Sequence, residues 1–160
     1  KIISDGAYEI KALSEKEKVH VYGFSRGGLM ALWTAIIRDD IASVVVWAGV
    51  CDVEKTYEER LDMRRGLKRI IGGTPSKFPE RYDYRTPLHE VSKINAPVLI
   101  IHGIDDEHVN ISHGYKLKVA LKKEGKQVVS KFEESLQHHF PTKENRKTVR
   151  MLSEWMKLQQ

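Results

Sequence analysis

The sequence predicts an α/β domain, a parallel sheet with helices on both faces. Three observations predict it. Short β-rich runs alternate with stretches of helical periodicity along most of the chain. The inner runs are continuously apolar, as strands buried on both faces are, rather than alternating. Helices intervene between successive runs, which implies parallel pairing through right-handed crossovers. Composition agrees with a globular fold: of 160 residues, 41 % are hydrophobic and 31 % charged. The 27 basic and 22 acidic residues give a net charge of +5, too small to suggest a disordered chain. A single domain over residues 1–160 is expected.

The elements follow in order. Residues 3–13 read as a weak helix through Ile3, Ala7 and Ile10. Residues 20–24 read as a strand, and Leu29, Leu32, Trp33, Ile36 and Ile37 then recur at helical spacing. Residues 43–47, with three consecutive valines, read as a buried strand. Residues 51–91 break the alternation. They are polar and turn-rich (Gly72-Gly73-Thr74-Pro75, Pro79, Pro87), with short helical pieces, and predict a functional excursion over the sheet's end. A third strand over 97–102 starts at Pro97 and ends at Gly103. Ser112 is a candidate N-cap for a helix carrying Leu117, Ala120 and Leu121 and stopped by Gly125. Residues 127–132 form the fourth strand. Pro141 suits the first turn of a last helix with Val149, Leu152 and Met156 on one face.

Several function classes are set aside. No apolar run approaches the ~18 residues of a membrane span, so no membrane partner is expected. The lone Cys51 rules out an intramolecular disulfide framework and a cysteine zinc site, and reads as structural. Residues 1–10 lack the apolar core of a signal peptide, although the chain begins with Lys; a cytoplasmic location is expected. Lys116, Lys118, Lys122, Lys123 and Lys126 follow a helical solvent face without interleaved aromatics, so no nucleic-acid partner is expected. His102, His108, His113, His138 and His139 lack the spacing of a metal site, and neither metal nor cofactor is expected.

The sharpest chemical signal is Gly23-Phe24-Ser25-Arg26-Gly27-Gly28. It satisfies G-x-S-x-G between a β-rich run and a helix, the context that motif requires. A strand turning sharply into a helix strains the corner residue, and small neighbours let the chain segments pass. The serine hydroxyl then stands off the carboxyl edge of the sheet. The Arg26 amide sits at a helix N-terminus, where it can stabilise an oxyanion. A nucleophilic serine needs a base and an orienting acid. Candidates lie in the expected chain order: the acids of His102-Gly103-Ile104-Asp105-Asp106-Glu107-His108-Val109 after the third strand, then Gln137-His138-His139-Phe140 after the fourth.

These features resemble the catalytic domain of the prolyl oligopeptidase family of α/β-hydrolases. The resemblance is carried by Val21-Tyr22-Gly23-Phe24-Ser25-Arg26-Gly27-Gly28, by Tyr84-Arg85-Thr86-Pro87-Leu88, and by Ile94-Asn95-Ala96-Pro97-Val98-Leu99-Ile100-Ile101-His102-Gly103. It implies an α/β-hydrolase-type sheet and a serine hydrolase acting on a small ester or peptide substrate without a cofactor. The family spacing of His-Gly, two residues, Asp, two residues, Val selects Asp106 as the acid, with Asp105 as the neighbouring alternative. The family's Gly-His-Gly-Phe loop selects His138 as the base. Gln137 and His139 replace its flanking glycines here, and His139 is the fallback.

The resemblance also implies strands and an oxyanion loop ahead of the nucleophile, yet 24 residues precede Ser25. The chain therefore reads as the carboxyl half of the fold, whose open sheet edge would pair with a missing N-terminal segment or a second chain. A second reading is a non-catalytic or incomplete hydrolase-like binding module. Trp33 and Trp47 read as core. Tyr57, Tyr82 and Tyr84 are candidate pocket residues.

Overall fold

The computed structural model describes residues 19–159. The predicted helix over 3–13 lies outside them. Four strands, β1 (Val19–Phe24), β2 (Ile41–Trp47), β3 (Val98–Gly103) and β4 (Val128–Glu133), form one parallel sheet in the order β1-β2-β3-β4. Helix α1 (Arg26–Ile37) joins β1 to β2, α5 (Ser112–Lys123) joins β3 to β4, and α6 (Thr142–Lys157) closes the described chain. The excursion between β2 and β3 holds α2 (Val53–Glu59), a 3₁₀ turn (Leu61–Met63), α3 (Arg64–Ile71), α4 (Pro79–Asp83) and a longer 3₁₀ segment (Pro87–Lys93).

Strand periodicity explains the layering. Val44, Val46, Val98 and Ile100 face one way and pack with Leu32 and Ala35 of α1 and Leu117 and Leu121 of α5. Their neighbours Val45, Trp47, Leu99 and Ile101 face the other way, against Phe140 and the Met151, Leu152, Trp155 and Met156 side of α6. Every residue of β2 and β3 is buried, which is why both runs are apolar apart from Ser43 and His102. The sheet thus carries helices on both faces, as the sequence predicts. A third, smaller cluster of Val53, Ile71 and Tyr82, joined by Leu29, Tyr57 and Leu67, holds the excursion against α1.

β1 lies at the edge of the sheet among the described residues, with Val19 and Tyr22 exposed. None of the described helices is long and apolar enough to cross a membrane.

Three local expectations are corrected. Ser112 is the first residue of α5 rather than its cap. The cap position is Ile111, and the Asn110 carboxamide oxygen accepts the Ser112 N–H at 3.0 Å. Pro141 occupies the cap position of α6, one residue ahead of the helix. On α6 Val149 faces outward and Thr148 takes its place in the core, because the packed stripe follows 148, 151, 152 and 155.

Candidate active site

The sheet puts the candidate residues at its carboxyl end. Ser25 follows β1, the 103–109 turn follows β3, and the 134–140 loop follows β4. Parallel order brings all three to one edge.

Ser25 is strained. Its φ of 56° and ψ of −123° lie in a region an L-residue rarely adopts. Three backbone hydrogen bonds hold it there. Its N–H donates to the Trp47 carbonyl at 2.9 Å, and its own carbonyl accepts from Gly28 at 3.0 Å and Val50 at 3.1 Å. The turn depends on close approach at two glycines. A Cβ on Gly23 would stand 2.2 Å from the Gly27 carbonyl oxygen, and one on Gly28 would stand 2.6 Å from Gly49 Cα. A Cβ on Gly27 would meet nothing within 4 Å among the described residues. The requirement for a small residue two after the serine is thus not steric here; Gly28 carries it. Arg26 opens α1, so its N–H has no acceptor within that helix.

A continuous hydrogen-bonded chain starts at this serine. Ser25 Oγ lies 3.0 Å from His138 Nε2, and His138 Nδ1 lies 2.7 Å from Asp106 Oδ2. The Asp106 carboxylate only accepts, so Nδ1–H donates to it and Nε2 is left to accept the serine hydroxyl. Asp106 Oδ1 accepts the N–H groups of His108 and Val109, each at 2.8 Å. Burial alone would raise the Asp106 pKa. The hydrogen bonds from His102, Val109, His138 and His108 outweigh it and hold the carboxyl at about 2. His138 is held below the ordinary histidine value, chiefly by burial and further by His139 and His108, with Asp106 opposing. The imidazole is therefore ready to accept a proton at neutral pH.

The alternatives are not in this chain. Asp105 is exposed, and its backbone N–H instead donates to the Leu136 carbonyl at 3.0 Å. His139 is exposed and meets the His138 ring edge-on, with ring centroids 5.0 Å apart, without a hydrogen bond to Ser25 or Asp106. His108 and Phe24 complete the ring cluster around His138, at 5.0 and 4.8 Å.

A cavity of about 140 Å³ opens beside Ser25, lined by Leu29, Val50, Val53, Met63, Leu67 and Val109 together with the polar Arg26 and Glu59. The excursion supplies much of this wall. Met63 and Leu67 carry no local sign of the role, since only the fold of residues 51–91 turns them toward the serine. Arg60 ties the excursion to the acid turn, donating to the His108 carbonyl at 3.0 Å and pairing with Asp62. The tyrosines singled out by the sequence do not line this cavity. Tyr82 is buried, with its hydroxyl donating to the Gly73 carbonyl, Tyr57 packs edge-on against it, and Tyr84 is solvent-exposed. Cys51 is buried, its thiol pushed up by burial, and Trp47 is core. Trp33 is half-buried, its indole N–H donating to the Arg85 carbonyl. Among the described residues no cluster of three His, Cys, Asp or Glu side chains is placed to hold a metal.

The prolyl oligopeptidase family model matches residues 7–159. The uncharacterized peptidase YtmA of Bacillus subtilis (strain 168) is 51 % identical over 144 residues, covering 89 % of this chain and 56 % of that protein. The alpha/beta hydrolase domain-containing protein aho-3 of Caenorhabditis elegans is 28 % identical over 102 residues, 64 % of this chain and 26 % of that one. The chain thus spans little more than half of the first of these relatives and about a quarter of the second. Among solved structures, the Pyrococcus horikoshii acylaminoacyl peptidase superposes with a TM-score of 0.84 at 21 % identity, over 99 % of this chain and 27 % of that one. A puromycin-hydrolyzing peptidase of Mycobacterium tuberculosis gives 0.70 at 24 % identity, over 76 % of this chain and 18 % of its own. These two likenesses speak to the fold.

Proposed function

Because the chain belongs to the prolyl oligopeptidase family, we propose that it is the nucleophile-bearing part of a serine hydrolase that cleaves a peptide or ester bond through an acyl-enzyme on Ser25. The observation that carries this reading is the unbroken chain from Ser25 Oγ through His138 to Asp106, begun at a strained turn.

His138 Nε2 takes the hydroxyl proton as Ser25 Oγ attacks the substrate carbonyl carbon. Asp106 holds the imidazole in its Nδ1–H tautomer and stabilises the imidazolium that forms. The Arg26 N–H supplies one donor to the oxyanion. His138 returns the proton to the leaving amine or alcohol as the bond to carbon breaks. It then draws a proton from water as the water oxygen attacks the acyl carbon, and passes that proton to Ser25 Oγ as the Oγ–acyl bond breaks, which releases the acid and restores free Ser25 and neutral His138. The cavity beside Ser25, about 140 Å³ with largely aliphatic walls, suits an apolar group on the acyl side. That size is close to apolar cavities of about 150 Å³ that take a benzene ring.

Labelling by a fluorophosphonate probe, in wild type and in Ser25→Ala, tests the proposal. Stoichiometric labelling that vanishes in the variant is the expected result. A folded wild-type protein that fails to label would overturn it and favour a non-catalytic binding role.

A further inference from the structure

Beyond His138, a second imidazole approaches the Asp106 carboxylate. His102, the penultimate residue of β3, is fully buried, as is the Asp106 side chain. Its Nε2 lies 2.8 Å from the Val109 carbonyl oxygen and 3.3 Å from Asp106 Oδ2, the oxygen that also meets His138. Both neighbours are acceptors. A lone pair on Nε2 would face two oxygens, so Nε2 carries the hydrogen. The other ring nitrogen, Nδ1, has no hydrogen-bond partner among the described residues. It lies against Gly114 of α5, where an added Cβ would stand 3.1 Å away. The ring is therefore packed in one orientation with one nitrogen committed to the acid turn.

We infer that His102 is a positioning residue: its Nε2–H, shared between the Val109 carbonyl and Asp106 Oδ2, holds the carboxylate in line with His138. This rests on the reading of Ser25, His138 and Asp106 given above. Asp106 then has donors on every side: two backbone N–H groups on Oδ1 and two imidazoles on Oδ2. The backbone pair fixes one oxygen. The His102 donor fixes rotation about the carboxyl axis, which sets where Oδ2 presents itself to His138.

The donor also draws charge from Oδ2. Without it, Oδ2 bears more negative charge toward His138 and stabilises the imidazolium better. The midpoint of His138 titration then moves to higher pH, while the looser carboxylate slows turnover. The other titratable or charged groups near this chain are His108 and His139 beside the His138 ring, Arg60 at the His108 carbonyl, and His113 on α5. None of them donates a side-chain hydrogen bond to Asp106.

The test uses ¹⁵N-histidine NMR on the full chain. In wild type, His102 is expected as the Nε2–H tautomer; an Nδ1–H tautomer overturns the inference without any variant. His102→Leu is expected to raise the His138 midpoint and to lower the probe-labelling rate about tenfold, the scale of a hydrogen bond to a charged group. His102→Gln, which keeps a donor, is expected to recover most of both. An unmoved midpoint in folded His102→Leu, or Leu and Gln variants that behave alike, would refute a role through Asp106. The tautomer and midpoint are read without turnover. Failure of wild type to label counts against the acyl-enzyme reading, whereas an unmoved midpoint counts against His102 alone.

Discussion

Gly103 ends β3 directly beneath the loop that carries His138. A Cβ there would stand 2.2 Å from the Leu136 carbonyl oxygen and 2.7 Å from that of Gln137. Ordinary contact begins near 3.4 Å, so Gly103→Ala must push this backbone away by about 1 Å. The obstacle is main chain, which cannot turn aside as a flexible side chain can. Leu136 also accepts the Asp105 N–H at 3.0 Å, so the acid turn and the histidine loop are pinned together at this point. His138, the next residue after Gln137, must then leave its 3.0 Å approach to Ser25 or its 2.7 Å bond to Asp106. A misplacement of ~1 Å costs about 10²-fold in rate. Overpacking of this kind destabilises by about 1–3 kcal/mol. In a domain of this size each kcal/mol lowers Tm by about 2–4 °C. The assay pairs the fluorophosphonate labelling rate with thermal unfolding. Gly103→Ala is expected to lose about two orders of magnitude in labelling while remaining folded at 25 °C. Wild-type labelling together with an unchanged Tm would refute the argument that this contact sets the position of the base.

Two further results are expected. Gly27→Ala meets open space and should keep wild-type stability and labelling within about 0.5 kcal/mol and twofold, whereas Gly23→Ala, forced against the Gly27 carbonyl, should destabilise by about 1–3 kcal/mol and disrupt the serine turn; urea denaturation of both variants decides. The pH dependence follows from the two perturbed groups. The acid limb of the labelling rate should lie below 6.5, because His138 must be neutral and its pKa is lowered. A pH–rate profile with its limb above 6.5 would contradict this. Asp106 falls from 3.8 to about 2 on folding, so its contribution, on the order of 2 kcal/mol, is present above 3.8 and lost as pH drops through about 2. Asp106→Asn should remove this part of the acid dependence of stability, which denaturant titrations across that pH range would reveal.

Much of the architecture was legible in the chain because it is written in local periodicity. Runs buried on both faces are apolar at nearly every position, and in β2 and β3 only Ser43 and His102 depart from this. The serine turn was legible because a strand entering a helix through a tight corner needs glycines at short, fixed offsets. Where packing between elements decides, local pattern fails. Thr148 and Val149 are equally plausible inward residues on a helical wheel until α6 is docked on the sheet. Ser112 has the chemistry of a cap, yet the Asx turn of Asn110 starts α5 and leaves Ser112 inside it.

The site divides in the same way. The sequence by itself determined the serine turn and the order of acid and histidine behind it, since each belongs to one strand end and its immediate neighbours. The family spacing favoured Asp106 over Asp105 and His138 over His139, and the tertiary structure joins Asp106 through His138 to Ser25 while leaving the neighbours exposed. Residues adjacent in sequence point in different directions, and composition and periodicity do not say which one meets a serine 113 positions away. That depended on the register of four parallel strands and on the left-handed turn at Ser135, whose φ of 58° lies in the loop leading to the histidines. The Met63 and Leu67 wall and the His102 contact to the carboxylate were likewise decided by packing. Distances across a fold are set by how its layers stack, and a one-dimensional pattern records only the faces that each layer must bury.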